Sequence, residues 1–379
     1  MQTVPFGKLG FDVSRLGFGM MRLPTVENEA GKKEIDRDEA VRMVRHGIDR
    51  GISYVDTAYG YHDGQSEVVT GLALKAGYRG KVKLTSKLPQ WLVHEYADMD
   101  KLLDEQLKKL DQPYLDFYLL HALGRDSFHK LQALDYKRFV KQALKDGRIK
   151  HIGFSFHDDA AAFIEIIDDY DWDMAQIQFN YLDDENQATR KGLLYAGKKG
   201  ISIVVMEPLR GGAIANPPAE IRELMAANDR AYSPVEWAFR YAGNFPEVVT
   251  ILSGMSSFTQ VEENLDIFSR VTSGSLNKKD LDFIKDIKAA YLSRVGIGCT
   301  RCNYCQPCPQ GVQIPRIFAA YNEAFMLDKP ESLSWEYRQI VKDKADASLC
   351  VSCGQCEEAC PQQLRIIELL QMAHREAYK

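Results

Sequence analysis

The chain has 379 residues and eight cysteines, all of them between Cys299 and Cys360. Their spacing is Cys299-x2-Cys302-x2-Cys305-x2-Cys308-Pro309, then Cys350-x2-Cys353-x2-Cys356-x3-Cys360-Pro361. Three thiolates at successive three-residue steps can wrap one face of a cubane iron–sulfur cluster, and a fourth beside a proline reaches across to a second cluster. The second run keeps this pattern in full, whereas the first is one residue short before Cys308. One cluster with spare thiols, or zinc, are the competing readings. Zinc prefers two separated Cys-x2-Cys pairs to triplets followed by Cys-Pro. A second group of reactive residue types lies far upstream: Asp56, Tyr61, Lys87 and His121. One such residue alone is more often a cap or a core residue. A carboxylate, a phenol, an amine and an imidazole at the ends of three consecutive strand candidates point instead to acid–base chemistry.

Positioning these groups requires elements that bring distant segments together. Short β-rich runs are predicted over residues 15–19, 54–57, 82–86, 117–121, 151–155, 175–179, 203–207 and 248–253. Helical apolar stripes separate them, for example over 39–50 and 99–110. Residues 3–13, with Gly7 and Gly10, read as an opening hairpin. Eight strand–helix units in one uninterrupted run predict an α/β protein with a closed (β/α)8 TIM barrel, in which chemistry sits at the carboxyl ends of the strands. No Gly-x-Gly-x-x-Gly opens a helix after the first strand, which argues against a doubly wound sheet. The expected domains are the barrel over 1–276, a linking helix over 277–295 and the cysteine-rich domain over 296–379.

Composition narrows the partners. The chain is 45% hydrophobic and 27% charged with a net charge of −5. It lacks the long basic runs that hold nucleic acid or anionic membrane, so neither is expected as a partner. No apolar run is long enough for a membrane span, and Met1-Gln2-Thr3-Val4-Pro5 is no signal peptide, so a cytoplasmic location is expected.

The barrel half resembles the aldo-keto reductases over about residues 3–270. The resemblance rests on Gly7-Lys8-Leu9-Gly10, Leu16-Gly17-Phe18-Gly19, Tyr54-Val55-Asp56-Thr57-Ala58-x2-Tyr61, Lys87, His121 and Gly147-Arg148-Ile149-Lys150-x-Ile152-Gly153-x-Ser155. It implies that Asp56, Tyr61, Lys87 and His121 form a catalytic tetrad for hydride exchange between nicotinamide and a small carbonyl or alcohol. A free phenol, with a pKa near ~10, is a poor acid. The Lys87 ammonium would lower that value, Asp56 would balance the ammonium, and Tyr61 would protonate the carbonyl oxygen while His121 fixes its pose. The resemblance also implies an NAD(P)H site that includes Ser155, Gln176, Met206, Leu209, Gly211, Ser256, Glu263 and Asn264. The chain departs from the family at Phe156, where Asn is common, and at Met206, where an aromatic often stacks on nicotinamide. Gly254 and Gln260 stand where a Lys and an Arg usually grip the 2′-phosphate of NADPH. Preference for NADPH is therefore expected to weaken in favour of NADH, although Arg210 or Arg22 could supply the missing charge.

The cysteine-rich half resembles an α-helical ferredoxin with residues 309–349 inserted between its motifs. Cys308-Pro309-Gln310 and Cys360-Pro361-Gln362 each lead into a segment of helical apolar spacing. In the ferredoxin-like assignment Cys299, Cys302, Cys305 and Cys360 hold one [4Fe–4S] cluster, and Cys350, Cys353, Cys356 and Cys308 hold the other. Three functions fit the combination. The first is a carbonyl reductase with structural or redox-sensing clusters. The second is a barrel coupled through its clusters to a ferredoxin-like redox partner. The third is a cofactor-sensing barrel without catalysis, against which the intact tetrad argues.

Overall fold

The computed structural model describes residues 1–29 and 31–379. The chain divides into two compact units, Met1–Gly211 with Val235–Lys278, and Gly212–Pro234 with Lys279–Lys379. The barrel segment expected as 1–276 thus gives up an internal stretch to the second unit. The helix expected to link the domains is Lys278–Leu292, and it falls in the second unit from Lys279 onward.

Among the described residues twelve strands form in chain order: β1 (Thr3–Pro5), β2 (Asp12–Ser14), β3 (Leu16–Gly19), β4 (Thr25–Glu27), β5 (Lys33–Ile35), β6 (Tyr54–Asp56), β7 (Lys83–Leu88), β8 (Leu115–Leu123), β9 (Ile149–Phe156), β10 (Met174–Gln178), β11 (Ser202–Met206) and β12 (Val248–Gly254). β3 and β6 to β12 close into one parallel barrel in the order β10-β11-β12-β3-β6-β7-β8-β9. These eight correspond to the eight strand candidates read from the sequence. Their apolar runs, such as Ile203-Val204-Val205 in β11, are buried between the lumen and the outer helices, as parallel strands require.

The helices start and stop where their side chains dictate. Asp36 caps helix Arg37–Asp49 by accepting the Glu39 N–H, and Asp38 and Glu39 place negative charge in the first turn. A capping box of Glu95 and Asp98 opens helix Tyr96–Leu110, which ends at Asp111 in the left-handed region, φ 53°. The antiparallel pair β1–β2 closes the amino-terminal end of the barrel. Phe6 stacks there on Phe117 at 4.6 Å and on Tyr54 at 6.3 Å between ring centres. Arg15 seals the seam between the first and last barrel strands. Its buried guanidinium donates to the carbonyls of Val248 and Gly243, and burial lowers its pKa to about 10. A further hairpin, β4–β5, follows β3; sequence periodicity offered no sign of it.

The second unit is helical. Helices Ile314–Met326, Pro330–Lys342 and Ile366–Ala377 pack around Ile317, Phe318, Tyr337, Ile340 and Leu370. The stretch read as an insertion therefore supplies two helices of this core. Helix Ala219–Ala226 and its flanks join the same unit through ion pairs. Arg230 forks onto Asp280 at 2.8 and 2.7 Å, and Arg294 bonds Glu220 at 2.7 Å. The Asp280 carboxylate is buried, so this fork closes around a charge that would otherwise be costly.

Candidate active site and thiol clusters

Asp56, Lys87 and His121 occupy the carboxyl ends of β6, β7 and β8, and Tyr61 follows β6 on a short 3-10 turn, Tyr61–Gly64. The Lys87 ammonium joins them. Its Nζ donates to Asp56 Oδ1 at 2.7 Å, to the Thr57 carbonyl at 2.8 Å and to Tyr61 Oη at 3.3 Å. The side chains of Lys87 and Asp56 are 1% and 3% exposed, so the pair is shielded from water. His121 sits at a register shift between Leu120 and Leu123 of β8, a bulge that re-aims its ring. The ring lies edge-on to Tyr61 at 6.2 Å and 5.1 Å from Trp91, and Nδ1 is buried without a hydrogen-bond partner.

Burial sets the protonation states. It drives His121 down to about 2, helped by the Lys87 charge, so the imidazole is neutral. Burial works against the Lys87 ammonium, yet Asp56 and Tyr61 together hold its pKa above the ordinary lysine value. The expectation for Tyr61 requires correction. Burial raises the phenol above its usual 10; Lys87 opposes this without overcoming it. Charge signs were legible in the sequence, but the desolvation that outweighs them was not. Tyr61 is therefore a protonated phenol at neutral pH, with the Lys87 ammonium 3.3 Å from its oxygen.

A buried polar layer that sequence reading missed supports this group. Gln106 Nε2 donates to the Lys87 carbonyl at 3.0 Å, to Ser86 Oγ at 3.0 Å and to Glu67 Oε1 at 2.6 Å, while Tyr118 donates to Gln106 Oε1 at 2.7 Å. Ser66 Oγ donates to the Met20 carbonyl at 3.0 Å and lies 2.8 Å from Thr57 Oγ1. These bonds fix both ends of the segment that carries Tyr61. One signal was available: Gln106 interrupts the buried apolar stripe of its helix, between Leu103 and Leu107.

The residues expected to hold a dinucleotide lie at the same barrel end. Ser155 Oγ accepts the N–H of Ala122, whose φ of 49° is left-handed, and so holds the turn after His121. Gln176 is buried; its Nε2 faces Met206 Sδ at 3.7 Å and its Oε1 has no partner. Leu209 is half-buried, and Gly211 is exposed with a φ of 65°. Ser256 donates through its N–H to Gln260 Oε1 at 2.7 Å, and through Oγ to the Arg22 carbonyl at 2.7 Å. Asn264 donates to Ser253 Oγ at 3.0 Å, and Glu263 is exposed. Of the two substitute cations, Arg210 is paired with Asp183 at 3.5 Å.

The cysteines line two cavities. Cys299, Cys302, Cys305 and Cys360 line one small cavity, with Phe318 and Ile366 behind them. Cys308, Cys350, Cys353 and Cys356 line a larger one of about 210 Å³, to which Cys305 also contributes. Among the described residues no three His, Cys, Asp or Glu converge on a point suited to one ion; each thiol set surrounds a space instead.

The family model described as "Aldo/keto reductase family" matches residues 15–287, and the chain belongs to that family. A second model, "4Fe-4S dicluster domain", matches residues 298–364 and covers both cysteine runs. "Probable aldo-keto reductase 1" from Glycine max is 28% identical over 163 residues, which span 41% of this chain and only 45% of that protein. The "NADH-specific methylglyoxal reductase" of Escherichia coli (strain K12) is 25% identical over 326 residues, spanning 74% of this chain and 96% of that one. An aldo-keto reductase from Klebsiella pneumoniae, crystallised with NADPH, superposes with a TM-score of 0.61 at 23% identity, over 76% of this chain and 95% of that one. That likeness establishes the barrel fold. No helix among the described residues is long and apolar enough to cross a membrane.

Proposed function

We propose that the barrel is a cytoplasmic NAD(P)H-dependent carbonyl reductase in which Tyr61 is the proton donor, and that the second unit carries two [4Fe–4S] clusters. The observation that carries the reading is Lys87 Nζ held between Asp56 and Tyr61 in a shielded pocket beside a neutral imidazole. Small aldehydes such as methylglyoxal, the substrate named for the Escherichia coli relative, are the class to test first.

The residues fit a nicotinamide. The unpartnered, buried Gln176 Oε1 is an acceptor suited to a carboxamide NH2, and Ser155 Oγ retains hydrogen-bonding capacity beside it. Met206 replaces the aromatic platform with a polarizable thioether. A bound nicotinamide supplies the hydride. Tyr61 gives its phenolic proton to the carbonyl oxygen, so that hydride and proton together make the alcohol. Lys87 stabilises the phenolate left behind, and Asp56 keeps Lys87 charged. Neutral His121 orients the carbonyl by donating from a ring N–H, and Trp91, 44% exposed at the rim, walls the substrate side.

Each thiol set has four sulfurs, the number one [4Fe–4S] cluster needs. The lining of the two cavities supports Cys299, Cys302, Cys305 and Cys360 as ligands of one cluster, and Cys308, Cys350, Cys353 and Cys356 as ligands of the other. The exposure of Cys302 and Cys353 favours a second reading, in which the clusters exchange electrons with a ferredoxin-like partner.

Anaerobic incubation with NADH or NADPH and a panel of small aldehydes tests the proposal. Dinucleotide oxidised and alcohol formed should match one for one. Dinucleotide binding without turnover of any aldehyde would leave a cofactor-sensing barrel. For the second reading, NADH alone should bleach the cluster absorbance on the timescale of turnover, and unchanged absorbance would remove it.

A further inference from the structure

The backbone bends sharply into left-handed space directly after Tyr61. His62, Asp63 and Gly64 have φ of 51°, 53° and 83° in succession. Gly64 adopts that region freely, but a residue with a Cβ is disfavoured there, and two in a row need support from outside the turn. Asp63 is met by Lys32 at 3.2 Å, an exposed ion pair of small worth. The support for His62 is its own ring. Nε2 accepts the N–H of Leu23 at 3.2 Å, just beyond the short 3-10 helix Met20–Arg22 that follows β3. A backbone N–H can only donate, so Nε2 carries no proton there and the imidazole is neutral.

This contact bears on where the phenol stands. Upstream, the Tyr61 N–H donates to the Ala58 carbonyl at 3.3 Å and the Thr57 N–H to the Thr85 carbonyl at 3.0 Å. Downstream, Ser66 Oγ reaches the Met20 carbonyl, but Ser66 lies beyond the flexible Gly64. His62 is adjacent to Tyr61, so its ring ties the turn at the nearer point. Tyr61 itself is half-buried, and its Oη stands 3.3 Å from Lys87 Nζ, at the long edge of hydrogen-bonding distance. A turn released from its left-handed conformation would carry the phenol away from that ammonium.

The geometry points to His62 as a positioning residue for Tyr61: its neutral ring clips the turn after the phenol to the backbone after β3 and so keeps the acid at Lys87. This rests on the reductase reading above and adds the residue that fixes the acid in place. The clip has a pH window. Burial pushes the His62 imidazole below its ordinary value, opposed by the Met21 carbonyl and Asp63. The other charged groups on the surrounding elements are committed or turned away. Lys32 pairs with Asp63, Glu67 accepts from Ser86 and Gln106 at 2.6 Å each, and Lys109 bonds Glu105 at 2.9 Å. Arg22 directs Nη2 toward Gly211, where a Cβ would stand 3.2 Å from it. Since the folded value is the lower one, the clip is complete above pH ~6.5 and is lost as pH falls and the ring protonates. A protonated Nε2 would present a second donor to the Leu23 N–H.

The test is the single-turnover rate of small-aldehyde reduction by the full-length, cluster-loaded protein with NADH or NADPH, with the dinucleotide Kd measured on the same samples. His62→Ala should lower the rate about tenfold at pH 7.5 and leave the Kd within about twofold; a misplacement of ~1 Å can cost up to roughly 10²-fold. His62→Gln, whose amide oxygen can accept the same N–H without titrating, should recover most of that loss. Between pH 7.5 and pH 5 the parent should fall toward His62→Ala as its ring protonates, while His62→Gln keeps its advantage. A His62→Ala rate within about twofold of the parent at pH 7.5, or a His62→Gln variant that falls with pH as the parent does, would overturn the assignment while sparing the reductase reading. A parent that reduces no aldehyde with either dinucleotide would overturn both.

Discussion

Replacing Lys87 by methionine removes the charge on which the proposed acid depends while keeping most of the side-chain volume. Lys87 Nζ lies 3.3 Å from Tyr61 Oη. At that separation and an effective dielectric of ~20, an ammonium stabilises a phenolate by ~5 kcal/mol. Only part of the proton has left at the transition state, so about half is felt there, corresponding to a fall of roughly 10²-fold in kcat/KM. The same change leaves the buried Asp56 carboxylate without its partner, a cost on the order of 3–5 kcal/mol in stability. The double variant Asp56→Asn with Lys87→Met separates the two effects. It leaves a neutral pair and should regain much of the lost stability without regaining rate. Steady-state reduction of methylglyoxal and urea unfolding midpoints read the two quantities on the same samples. Activity of Lys87→Met within about threefold of the parent, or activity restored in the double variant, would refute the reasoning.

Three further outcomes are expected. His121 is neutral when folded, with a pKa near 2, so the unfolded chain binds the extra proton below its ordinary value of 6.5. The stability this neutral imidazole contributes is complete above pH 6.5 and declines as pH falls; His121→Gln should lessen the loss between pH 7.5 and pH 5 by at most about 2 kcal/mol, read by urea unfolding. Anaerobic iron analysis should find about eight Fe per chain, and Cys308→Ser or Cys360→Ser should each weaken a different cluster, with about four Fe retained if that cluster is lost. Gln106→Leu breaks the polar layer under Lys87 and should lower stability by about 1–3 kcal/mol, with activity falling as Lys87 loses its support; an unchanged unfolding midpoint would count against that role.

The barrel was legible because its signals are local. Eight buried strands rich in Val, Ile and Leu alternate with amphipathic helices, and the loop from Asp56 to Tyr61 has family spacing. What stayed hidden depends on long-range packing. The β4–β5 hairpin carries too little apolar periodicity to announce itself. Nothing local in Gly212–Pro234 shows that it packs with the C-terminal residues, since its anchors, Asp280 and Arg294, lie far along the chain. The two sets of four cysteines followed from the ferredoxin-like resemblance, and in the fold the cysteines line two cavities, with Cys305 on both. The direction of the Tyr61 shift could not be read from neighbouring charges, because desolvation is a property of the folded pocket.

The most direct measurement is single-turnover reduction of a small aldehyde by NADH in the Tyr61→Phe variant, with dinucleotide binding measured in parallel. The account predicts that the rate falls at least ~10²-fold while the Kd for the dinucleotide stays within about twofold, because only the transferable proton is removed. An unchanged rate would show that the proton comes from elsewhere and that the phenol held by Lys87 is not the acid.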